Sequence, residues 1–309
     1  MEAVFNINLV SALLLLFIGL PGNLAVLYFF LIKSWNGISS YYLFIIFMAI
    51  TDLLVCILHP IILLPISFSP GTQNASLLCR ELFLLPLGIS TASVWILCGL
   101  SFDRYRKITK PLAKQLSKWL IMITCSLIIV LGHLIYLPYK GARIMDTKTA
   151  TCQQTRHPSQ DYIISVFIFH IIVCMTLICI IPISMVYYFN YKISKSLNNQ
   201  ANVASQQTEL YKRNARALCT LRCLTIATTA TVFLPICFLT VLYSIYIISE
   251  DVTSVAPELL TLTETLPLIN SAMNAIVYLF HIKEFKEFYF NNLCLVKKKR
   301  VHGGGTPIQ

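Results

Sequence analysis

The sequence predicts an all-α membrane protein, built as a bundle of seven transmembrane helices with a short amphipathic eighth helix. Of the 309 residues, 57% are hydrophobic and only 12% are charged, about half the charged share of an average soluble domain. The mean hydropathy is +0.73, so a water-soluble globule would have too little polar surface to cover itself. Seven apolar runs are each long enough to cross about 30 Å of hydrocarbon as a helix.

Each apolar run, extended to the expected ends of its helix, gives one predicted transmembrane helix. The predicted transmembrane helices occupy residues of about 7–32, 41–66, 80–108, 119–138, 162–190, 215–248 and 257–280, and the eighth helix about 283–292. Glu264, Asn270 and Asn274 interrupt the seventh run, which we retain because buried polar groups in a span usually face the bundle interior. Residues 1–290 are therefore predicted to form one membrane domain, followed by a short basic tail at 291–309.

Lysine and arginine residues fall mostly on one side of the predicted helices. When the seven spans alternate across the membrane, the other side receives only five of the 24 basic residues: Arg80, Lys140, Arg143, Lys148 and Arg156. By the positive-inside rule the richer side is cytoplasmic, which places the N-terminus outside and the C-terminus inside. The net charge of +11 is thus explained by topology, and no nucleic-acid partner is predicted. We expect a multi-pass protein of the plasma membrane.

Two sequence features agree with this orientation. Asn74-Ala75-Ser76 is a glycosylation sequon in the first outer loop, where an acceptor must lie to be modified. Cys79 and Cys152 fall on the outer side, where an oxidising compartment favours a disulfide. Such a bond would join the start of the third helix to the loop after the fourth. The alternative is two free thiols.

Several polar side chains lie at mid-depth in the predicted bundle. Asp52 stands midway along the second helix, where an ionised carboxylate costs at least a few kcal/mol unless it is paired. Its candidate neighbours in other spans are Asn23, Ser93, Asn270, Ser271 and Asn274. Together they could ligate a small hard cation through oxygen atoms, or keep the carboxyl group protonated and hydrogen-bonded. From the residues alone, a polar network that only packs helices is an equally good interpretation.

An acid and a base are adjacent at the predicted cytoplasmic end of the third helix. Asp103 and Arg104 precede Tyr105 there. The two charges can neutralise each other, and the arginine can extend into water. A simple salt bridge at the helix end is the alternative interpretation.

The first half of the chain carries several short motifs in its predicted helices. Residues 22–26 read Gly-Asn-Leu-Ala-Val and residues 49–54 read Ala-Ile-Thr-Asp-Leu-Leu, and they resemble the signatures of the first two helices of the rhodopsin-like G-protein-coupled receptors. Cys79 precedes Arg104 by 25 residues. This is the family's usual spacing between its disulfide cysteine and the arginine of its Asp-Arg-Tyr motif.

The second half of the chain carries the rest of the pattern. Residues 274–278 read Asn-Ala-Ile-Val-Tyr, with Phe285 seven residues further on, and resemble the end of the family's seventh helix and the start of its eighth. The prolines of the fifth and sixth helices correspond to Pro182 and Pro235. Each motif is weak alone, but all of them in order on seven spans resemble this family over about residues 8–290.

Several positions depart from the family pattern. Ala275 replaces a proline of the seventh helix, and Phe233 stands where tryptophan is commoner. Thr229 replaces a phenylalanine of the sixth helix and Asn190 a tyrosine of the fifth. The fourth helix has no tryptophan in its middle, and Trp119 lies near its start instead. These changes are expected to affect the change between inactive and active states more than the fold.

The resemblance implies a role for each group of residues. A sodium ion, as an allosteric modulator in a protein that requires no cofactor, would be held by Asp52, Asn23, Ser93, Asn270, Ser271 and Asn274. The switch and the contacts to a heterotrimeric G protein would be formed by Asp103, Arg104, Tyr105, Phe233, Pro235, Asn274 and Tyr278. The implied function is transduction of extracellular ligand binding to that G protein through movement of the sixth helix, and the protein is not expected to be an enzyme.

The start of the predicted sixth helix lacks the acidic residue that often pairs with the family's arginine. Residues 215–217 read Ala-Arg-Ala. Asp103 is therefore the close partner that remains for Arg104, and we expect a weak lock with appreciable basal activity.

The ligand is restricted by two positions on which the family's chemistry depends. Pro86 occupies the place of the acid that binds amines, and Leu268 the place of the lysine that binds retinal. The expected pocket is mostly apolar with a few hydroxyl groups, and its lining comprises Leu87, Ser90, Thr91, Cys174, Ile178, Ile236, Cys237, Thr240, Leu260 and Glu264. Such a lining suits a peptide side chain or a small apolar molecule. Glu264 would either anchor a basic ligand group or pair with a basic residue of a loop such as Arg80.

Other classes of membrane protein fit the sequence less well. A chemosensory receptor of the same fold is the first alternative, and a seven-span transporter a weaker one, because the chain shows no internal repeat between its first and last three spans. An intramembrane hydrolase has no nucleophile and base in a recognisable motif. At the C-terminal end, Cys294 precedes the basic residues 297–300, a pattern that suggests palmitoylation next to anionic membrane lipids; a plain thiol is the alternative.

Overall fold

The protein is described by a computed structural model that covers residues 2–34, 39–110, 112, 115–136, 143–146, 151–154, 176–177, 180–203, 209–238, 240–241 and 257–292. Helices occur in each of the seven predicted spans. The first helix comprises Glu2–Leu14, a π-helical turn at Leu15–Gly19, and Leu20–Ser34. The second, third, fourth and fifth helices are Ser40–Phe68, Leu85–Thr109, Lys118–Leu134 and Ile181–Val203. The sixth comprises Glu209–Thr228 and a π-helical turn at Thr229–Phe233, the seventh is Pro257–His281, and the eighth is Lys283–Asn292.

Several of these helices are long and apolar enough to cross a membrane. Within the described ranges, four qualify: Ala3–Lys33, Ser40–Phe68, Asn214–Phe238, and Gln73–Thr109, which takes the third helix together with a short helix and a turn before it. Thr261–His281 forms a fifth when it is taken together with Lys283–Phe290, from which it is bent by 98°. Lys118–Leu134 is a shorter apolar helix, and most of the predicted outer half of the fifth helix lies outside the described residues. The protein is a multi-pass, helical membrane protein. We call the end of the bundle that carries Arg104 the inner end and the end that carries Cys79 the outer end.

The two complete π-helical turns are explained by prolines. Pro21 follows Leu15–Gly19, and Pro235 follows Thr229–Phe233, by two residues in each case. A proline has no N–H group, and its ring clashes with the carbonyl four residues earlier, which here lies inside the π-helical turn. The wider turn accommodates the ring without ending the helix.

The third helix begins at Leu85, later than the predicted start at residue 80. Instead of one helix from 80 to 108, the structure has a separate outer helix at Gln73–Glu81 and a third helix that starts at Leu85. Pro86 stands in the first turn of the third helix, a position that suits a residue with no N–H to donate. Because its ring clashes with a preceding helical turn, the chain turns at residues 82–84 before the third helix starts.

The outer loop after the fourth helix contains two strands, which the all-α prediction did not include. Strand β1, Arg143–Asp146, pairs antiparallel with strand β2, Thr151–Gln154, with Met145 opposite Cys152. Each strand has only four residues, too few to show a period-two pattern in the sequence. A disulfide joins Cys152 of β2 to Cys79 of the outer helix, with 5.5 Å between the two Cα atoms. The predicted disulfide is therefore present.

Small residues set two of the closest helix contacts. A Cβ atom placed on Gly22 would lie 2.8 Å from the Cβ of Ala275, where the first and seventh helices touch. A Cβ on Gly132 would lie 2.6 Å from the backbone oxygen of Gly88, where the fourth and third helices cross. Larger side chains would force these helices apart, as is typical of helix packing in membranes.

The eighth helix is fixed to the inner end of the first. Lys33 Nζ lies 2.6 Å from Glu284 Oε2. Phe285 is buried, and its ring centroid lies 5.4 Å from that of Phe29. Phe288 also packs against Phe29, at 5.2 Å between centroids. The eighth helix thus presents an aromatic side to the bundle, while Lys286 and Glu287 are exposed.

Candidate functional site

A polar cluster surrounds Asp52 in the middle of the bundle. The carboxylate is fully buried. Its Oδ1 accepts a hydrogen bond from Ser93 Oγ of the third helix at 3.1 Å, and its Oδ2 accepts one from Asn274 Nδ2 of the seventh at 2.8 Å. The second, third and seventh helices therefore meet at one acidic side chain.

Asn23 and Ser271 extend this cluster to the first helix. Asn23 Nδ2 donates to the backbone oxygen of Gly19 at 3.0 Å and to that of Ser271 at 2.8 Å. Three buried oxygens of the cluster accept no hydrogen bond from any described residue: Asn23 Oδ1, Ser271 Oγ and Asn274 Oδ1. Buried polar atoms are usually satisfied by protein, water or an ion, so this group of oxygens is suited to holding a further polar species.

Asn270 lies beside the cluster but faces the sixth helix. Its Oδ1 accepts hydrogen bonds from Thr231 Oγ1 at 3.1 Å and from Thr228 Oγ1 at 3.4 Å. Thr228 is the last residue of the α-helical part of the sixth helix, and Thr231 lies within the π-helical turn that follows. Of the six residues expected to hold sodium, Asn270 is therefore the one that connects the polar cluster to the sixth helix.

The aromatic residue and the proline of the predicted switch lie at the end of that π-helical turn and just beyond it. Phe233 is half-buried and packs against an apolar cluster formed by Val94, Val232 and Ile236. Pro235 is buried. The sixth helix thus combines a proline, a π-helical turn and a polar link to the seventh helix within eight residues of one another, 228–235.

At the inner end, Asp103 and Arg104 have different partners. Asp103 Oδ1 accepts a hydrogen bond from Ser40 Oγ of the second helix at 2.6 Å, and Lys107 Nζ lies 3.3 Å from Asp103 Oδ2. The Arg104 guanidinium carbon lies 3.6 Å from the centre of the Tyr41 ring. The expected pair between Asp103 and Arg104 is not among the ion pairs of the described residues. The reason is that Ser40 and Lys107 hold the carboxylate toward the second helix.

The two tyrosines predicted for the switch lie on opposite sides of this region. Tyr105 stacks on Phe189 of the fifth helix, with 5.5 Å between ring centroids and 25° between ring planes. Tyr278 is buried, and its hydroxyl lies 3.2 Å from Met48 Sδ of the second helix. The two rings thus contact different helices, with Tyr278 held inside the bundle.

Three polar contacts join the fifth and sixth helices in an antiparallel register. The Tyr187 hydroxyl lies 3.2 Å from Thr229 Oγ1. Asn190 Nδ2 donates to Thr225 Oγ1 at 2.8 Å. Nearest the inner end, Arg222 Nη2 donates to Ser194 Oγ at 2.9 Å. We call these three pairs the polar ladder. Asn190, the residue that replaces the family's tyrosine, supplies its buried central pair.

The positions expected to line a ligand pocket are only partly described. Ser90 Oγ donates to the backbone oxygen of Pro267 at 2.8 Å, and Thr91 Oγ1 donates to Leu87 at 3.0 Å and contacts the Tyr136 hydroxyl at 3.2 Å. These two hydroxyl groups therefore connect the third helix to the seventh helix and to the turn after the fourth. Among the remaining positions, Ile236 is buried, and Leu87, Cys237, Thr240 and Glu264 are half-buried. Cys174, Ile178 and the side chain of Leu260 lie outside the described part of the chain.

The predicted modification sites are also partly described. Asn74 is exposed in the first turn of the outer helix, where Thr72 Oγ1 accepts a hydrogen bond from the Ala75 N–H at 3.2 Å. The sequon is thus held in a helical turn. Cys294 lies outside the described residues.

Some contacts could not be anticipated from motifs. Ser40 and Tyr41 hold the inner acid and base, yet neither belongs to a motif. The motifs also did not indicate a cluster of three side chains at the inner end, formed by Cys219, Cys223 and His281. Its one sequence signal is the spacing of four residues between the cysteines, which puts both on one face of a helix.

The chain matches the model of the family described as 7 transmembrane receptor (rhodopsin family) over residues 22–278. Similar proteins include the 5-hydroxytryptamine receptor 2B of Mus musculus, 33% identical over 156 residues, which is 47% of this chain and 32% of that receptor. The same receptor of Dichotomyctere fluviatilis is 31% identical over 170 residues, 50% of this chain and 36% of that receptor. The C5a anaphylatoxin chemotactic receptor 1 of Danio rerio is 28% identical over 135 residues, 43% of this chain and 38% of that receptor.

The matched segments cover only 32% to 38% of the length of these relatives, whereas the family model covers most of this chain. The motifs named above fall inside the match: Asn23 near its start, Asp52 and Arg104 within it, and Tyr278 at its end. The seven helices, the disulfide at the outer end and the polar cluster around Asp52 agree with the same assignment. The chain belongs to the rhodopsin family of seven-transmembrane receptors.

Proposed function

We propose that the protein transmits the binding of an extracellular ligand to a heterotrimeric G protein through movement of the sixth helix. The observation that carries this proposal is the link from the polar cluster to the sixth helix. Asn274 contacts Asp52 at 2.8 Å, and Asn270, one helical turn earlier, accepts hydrogen bonds from Thr228 and Thr231. A change in the position of the sixth helix must therefore alter contacts in the centre of the bundle.

The sixth helix has the features of an element with two positions. Pro235 removes one backbone hydrogen bond, and the π-helical turn at Thr229–Phe233 already departs from regular α-helix. Kinks of this type allow the two parts of a helix to pivot. A ligand that binds the bundle better when the inner part has moved outward shifts the population toward that state by its difference in affinity.

The G protein would bind at the inner end, in the groove that this movement opens. Arg104, Tyr105 and Tyr278 would line that groove. In the described state, Arg104 stacks on Tyr41 and Tyr105 on Phe189. Release of the arginine from Tyr41 would give the groove a guanidinium group that can donate to backbone carbonyls of a helix of the G-protein α subunit.

The ligand is proposed to be an extracellular peptide or a small apolar molecule. Pro86 is buried at the start of the third helix, so the usual carboxylate partner of an amine is missing there. Two of the relatives are receptors for 5-hydroxytryptamine, an amine, but this chain would have to hold such a ligand by other contacts. Leu268 is buried and offers no amine to retinal.

A sodium ion is proposed to bind at the polar cluster as an allosteric modulator. The Asp52 carboxylate supplies the negative charge, and Ser93, Asn23, Ser271 and Asn274 supply neutral oxygens. Hard cations prefer such oxygen ligands. The orphaned oxygens of the cluster support the proposal because a bound ion, with its water, would satisfy them.

The membrane location and orientation proposed for the receptor follow the charge distribution. The N-terminus would lie outside the plasma membrane and the C-terminus in the cytoplasm. The exposed sequon at Asn74 and the disulfide at Cys79 would then share the outer side. Palmitoylation of Cys294, beside the basic residues 297–300, would attach the tail to membrane lipids.

The direct test of this function is nucleotide exchange on G-protein α subunits in membranes that contain the receptor. A library of peptides, lipids and odorants is screened for ligands that accelerate exchange. Arg104→Ala should abolish the response without lowering the amount of receptor. Arg106→Ala, which removes a neighbouring positive charge, is the matched control and should retain it. If no ligand in the library and no basal activity gave exchange above that of receptor-free membranes with any α subunit, the proposal would be wrong.

A further inference from the structure

We propose that Cys219, Cys223 and His281 form a binding site for a thiophilic divalent metal ion of the zinc type, at the inner end of the bundle between the sixth and seventh helices. Cys219 and Cys223 are four residues apart in the helix Glu209–Thr228, and His281 is the last residue of the helix Pro257–His281. The site would therefore join the two helices directly.

The distances within the cluster are close to those that a metal needs. The ligand atoms of the three residues all lie within 4.8 Å of one another, and Cys219 Sγ lies 3.7 Å from His281 Nδ1. Two sulfurs bound to one tetrahedral zinc ion at about 2.3 Å are about 3.8 Å apart. The separations in the cluster therefore exceed the distance between two sulfurs on one zinc ion by at most about 1 Å.

The chemistry of the three ligands selects the type of ion. Two thiolates and one imidazole prefer zinc and other soft or borderline metals over sodium, magnesium or calcium. The two thiolate charges balance a divalent cation. Three protein ligands leave a fourth tetrahedral position for water. This donor set differs from the oxygen-rich cluster around Asp52, so the two sites would take different ions.

The cluster is accessible to an ion, and two neighbouring basic side chains contact groups outside it. Cys219 is exposed, and Cys223 and His281 are half-buried. Arg222, which precedes Cys223, donates to Ser194 on the fifth helix at 2.9 Å. Lys283 lies 3.8 Å from Glu287 of the eighth helix.

Metal bound at this cluster would hold the sixth helix against the end of the seventh. This consequence rests on the proposed function, in which the inner part of the sixth helix moves outward. A bound ion would stabilise the closed bundle by mass action, and removal of the ion would favour the signalling state.

The binding experiment uses the full chain in detergent with a phosphine reductant. Zinc affinity and stoichiometry are measured by competition with a chromophoric chelator, and cobalt is added in parallel for its absorption spectrum. The wild-type chain should bind one zinc ion through this cluster, and bound cobalt should show sulfur-to-metal charge transfer. Cys219→Ser and His281→Ala should each weaken zinc binding by at least about tenfold. Cys219→His should recover part of the affinity, and Cys125→Ala, which removes a buried thiol of the fourth helix, should bind like the wild type.

A second measurement needs no variant and so does not depend on the folding of one. Saturating zinc should slow the alkylation of Cys219 and Cys223, mapped by mass spectrometry, and should raise the melting temperature of the wild-type chain. Equal alkylation rates with and without zinc would overturn the proposal, as would equal zinc affinity in wild type and Cys219→Ser. A disulfide between Cys219 and Cys223 that persists under the reductant would also overturn it. None of these outcomes depends on G-protein coupling, so a failure of the metal site is distinguishable from a failure of the proposed function.

Discussion

Glycine residues fix the distance between two pairs of helices. Gly88 and Gly132 face each other where the third and fourth helices cross, and a Cβ on either would lie 2.9 Å or 2.6 Å from the backbone oxygen of the other. Because backbone atoms cannot move aside as a flexible side chain can, these positions exclude even alanine. The absence of a tryptophan in the middle of the fourth helix is consistent with this close contact, which leaves no room for a bulky residue beside Gly132.

Gly132→Ala should destabilise the bundle by about 1–3 kcal/mol, because the added methyl group would lie 2.6 Å from the Gly88 oxygen. The change should appear as a lower melting temperature in detergent. Gly71→Ala is the matched control, since no atom lies within 4 Å of the added methyl group. Equal melting temperatures of the two variants would show that the helices can separate at little cost.

Asp52→Asn should abolish the effect of sodium on agonist affinity. The substitution keeps the shape of the side chain and one acceptor oxygen, replaces the other acceptor by an NH2 donor, and removes the charge that attracts the ion. Affinity is compared in sodium chloride and in choline chloride at equal ionic strength. Glu284→Gln, which removes an exposed acid at the start of the eighth helix, should respond to sodium like the wild type. An identical response of Asp52→Asn and wild type would reject the sodium site.

The fifth and sixth helices act as a pair because of the polar ladder. Its three contacts follow one another at intervals of three or four residues on each helix, so they occupy a single face. Asn190 and Thr225 form the buried contact, which is the hardest of the three for water to replace. Any outward movement of the sixth helix must either break this contact or take the fifth helix with it.

Asn190→Ala should make the sixth helix easier to move. Loss of the bond to Thr225 should lower the free energy of unfolding by about 1 kcal/mol and raise basal nucleotide exchange. Faster hydrogen exchange in residues 209–228 would report the loosened contact independently of any G protein. Asn199→Ala, an exposed position on the same helix, is the control and should change neither quantity. Unchanged hydrogen exchange in Asn190→Ala would mean that the ladder does not restrain the helix.

At the scale of elements, the sequence predicts well what hydrophobicity determines. Apolar length predicted seven helical spans, and within the described residues a helix occurs in each of them. Of the five polar neighbours expected for Asp52, Ser93 and Asn274 donate hydrogen bonds to it. The prediction from sequence failed where short-range geometry determines the structure. Pro86 moved the start of the third helix, and two strands of four residues had no visible period. The partners of Asp103 and Arg104 depend on which rotamers pack against the second helix, and a motif does not encode that choice.

A disulfide joins separate parts of the molecule at its outer end. The disulfide between Cys79 and Cys152 closes a loop with a sequence separation of 73 residues, which includes the third and fourth helices. It restricts the unfolded chain as well as positioning the outer helix against the strand pair. The two cysteines are buried together with Ile62, Ile66 and Ala75, so the bond also covers part of the outer end of the second helix.

Replacing both Cys79 and Cys152 by alanine should lower the free energy of unfolding by about 2–5 kcal/mol. The comparison is made by thermal unfolding in detergent, with and without a reducing agent. The reductant should lower the melting temperature of the wild type toward that of the double variant and leave the double variant unchanged. A double variant as stable as the oxidised wild type would contradict this account.

The small-residue contact between the first and seventh helices has a further consequence for how a lipophilic compound could arrive from the bilayer. Gly19 lies against Cys56 and Ala272, and Gly22 against Ala275, with no space for even one added methyl group. The contact between these two helices therefore leaves no opening at mid-depth. A compound dissolved in the lipid tails could not enter the bundle between them there.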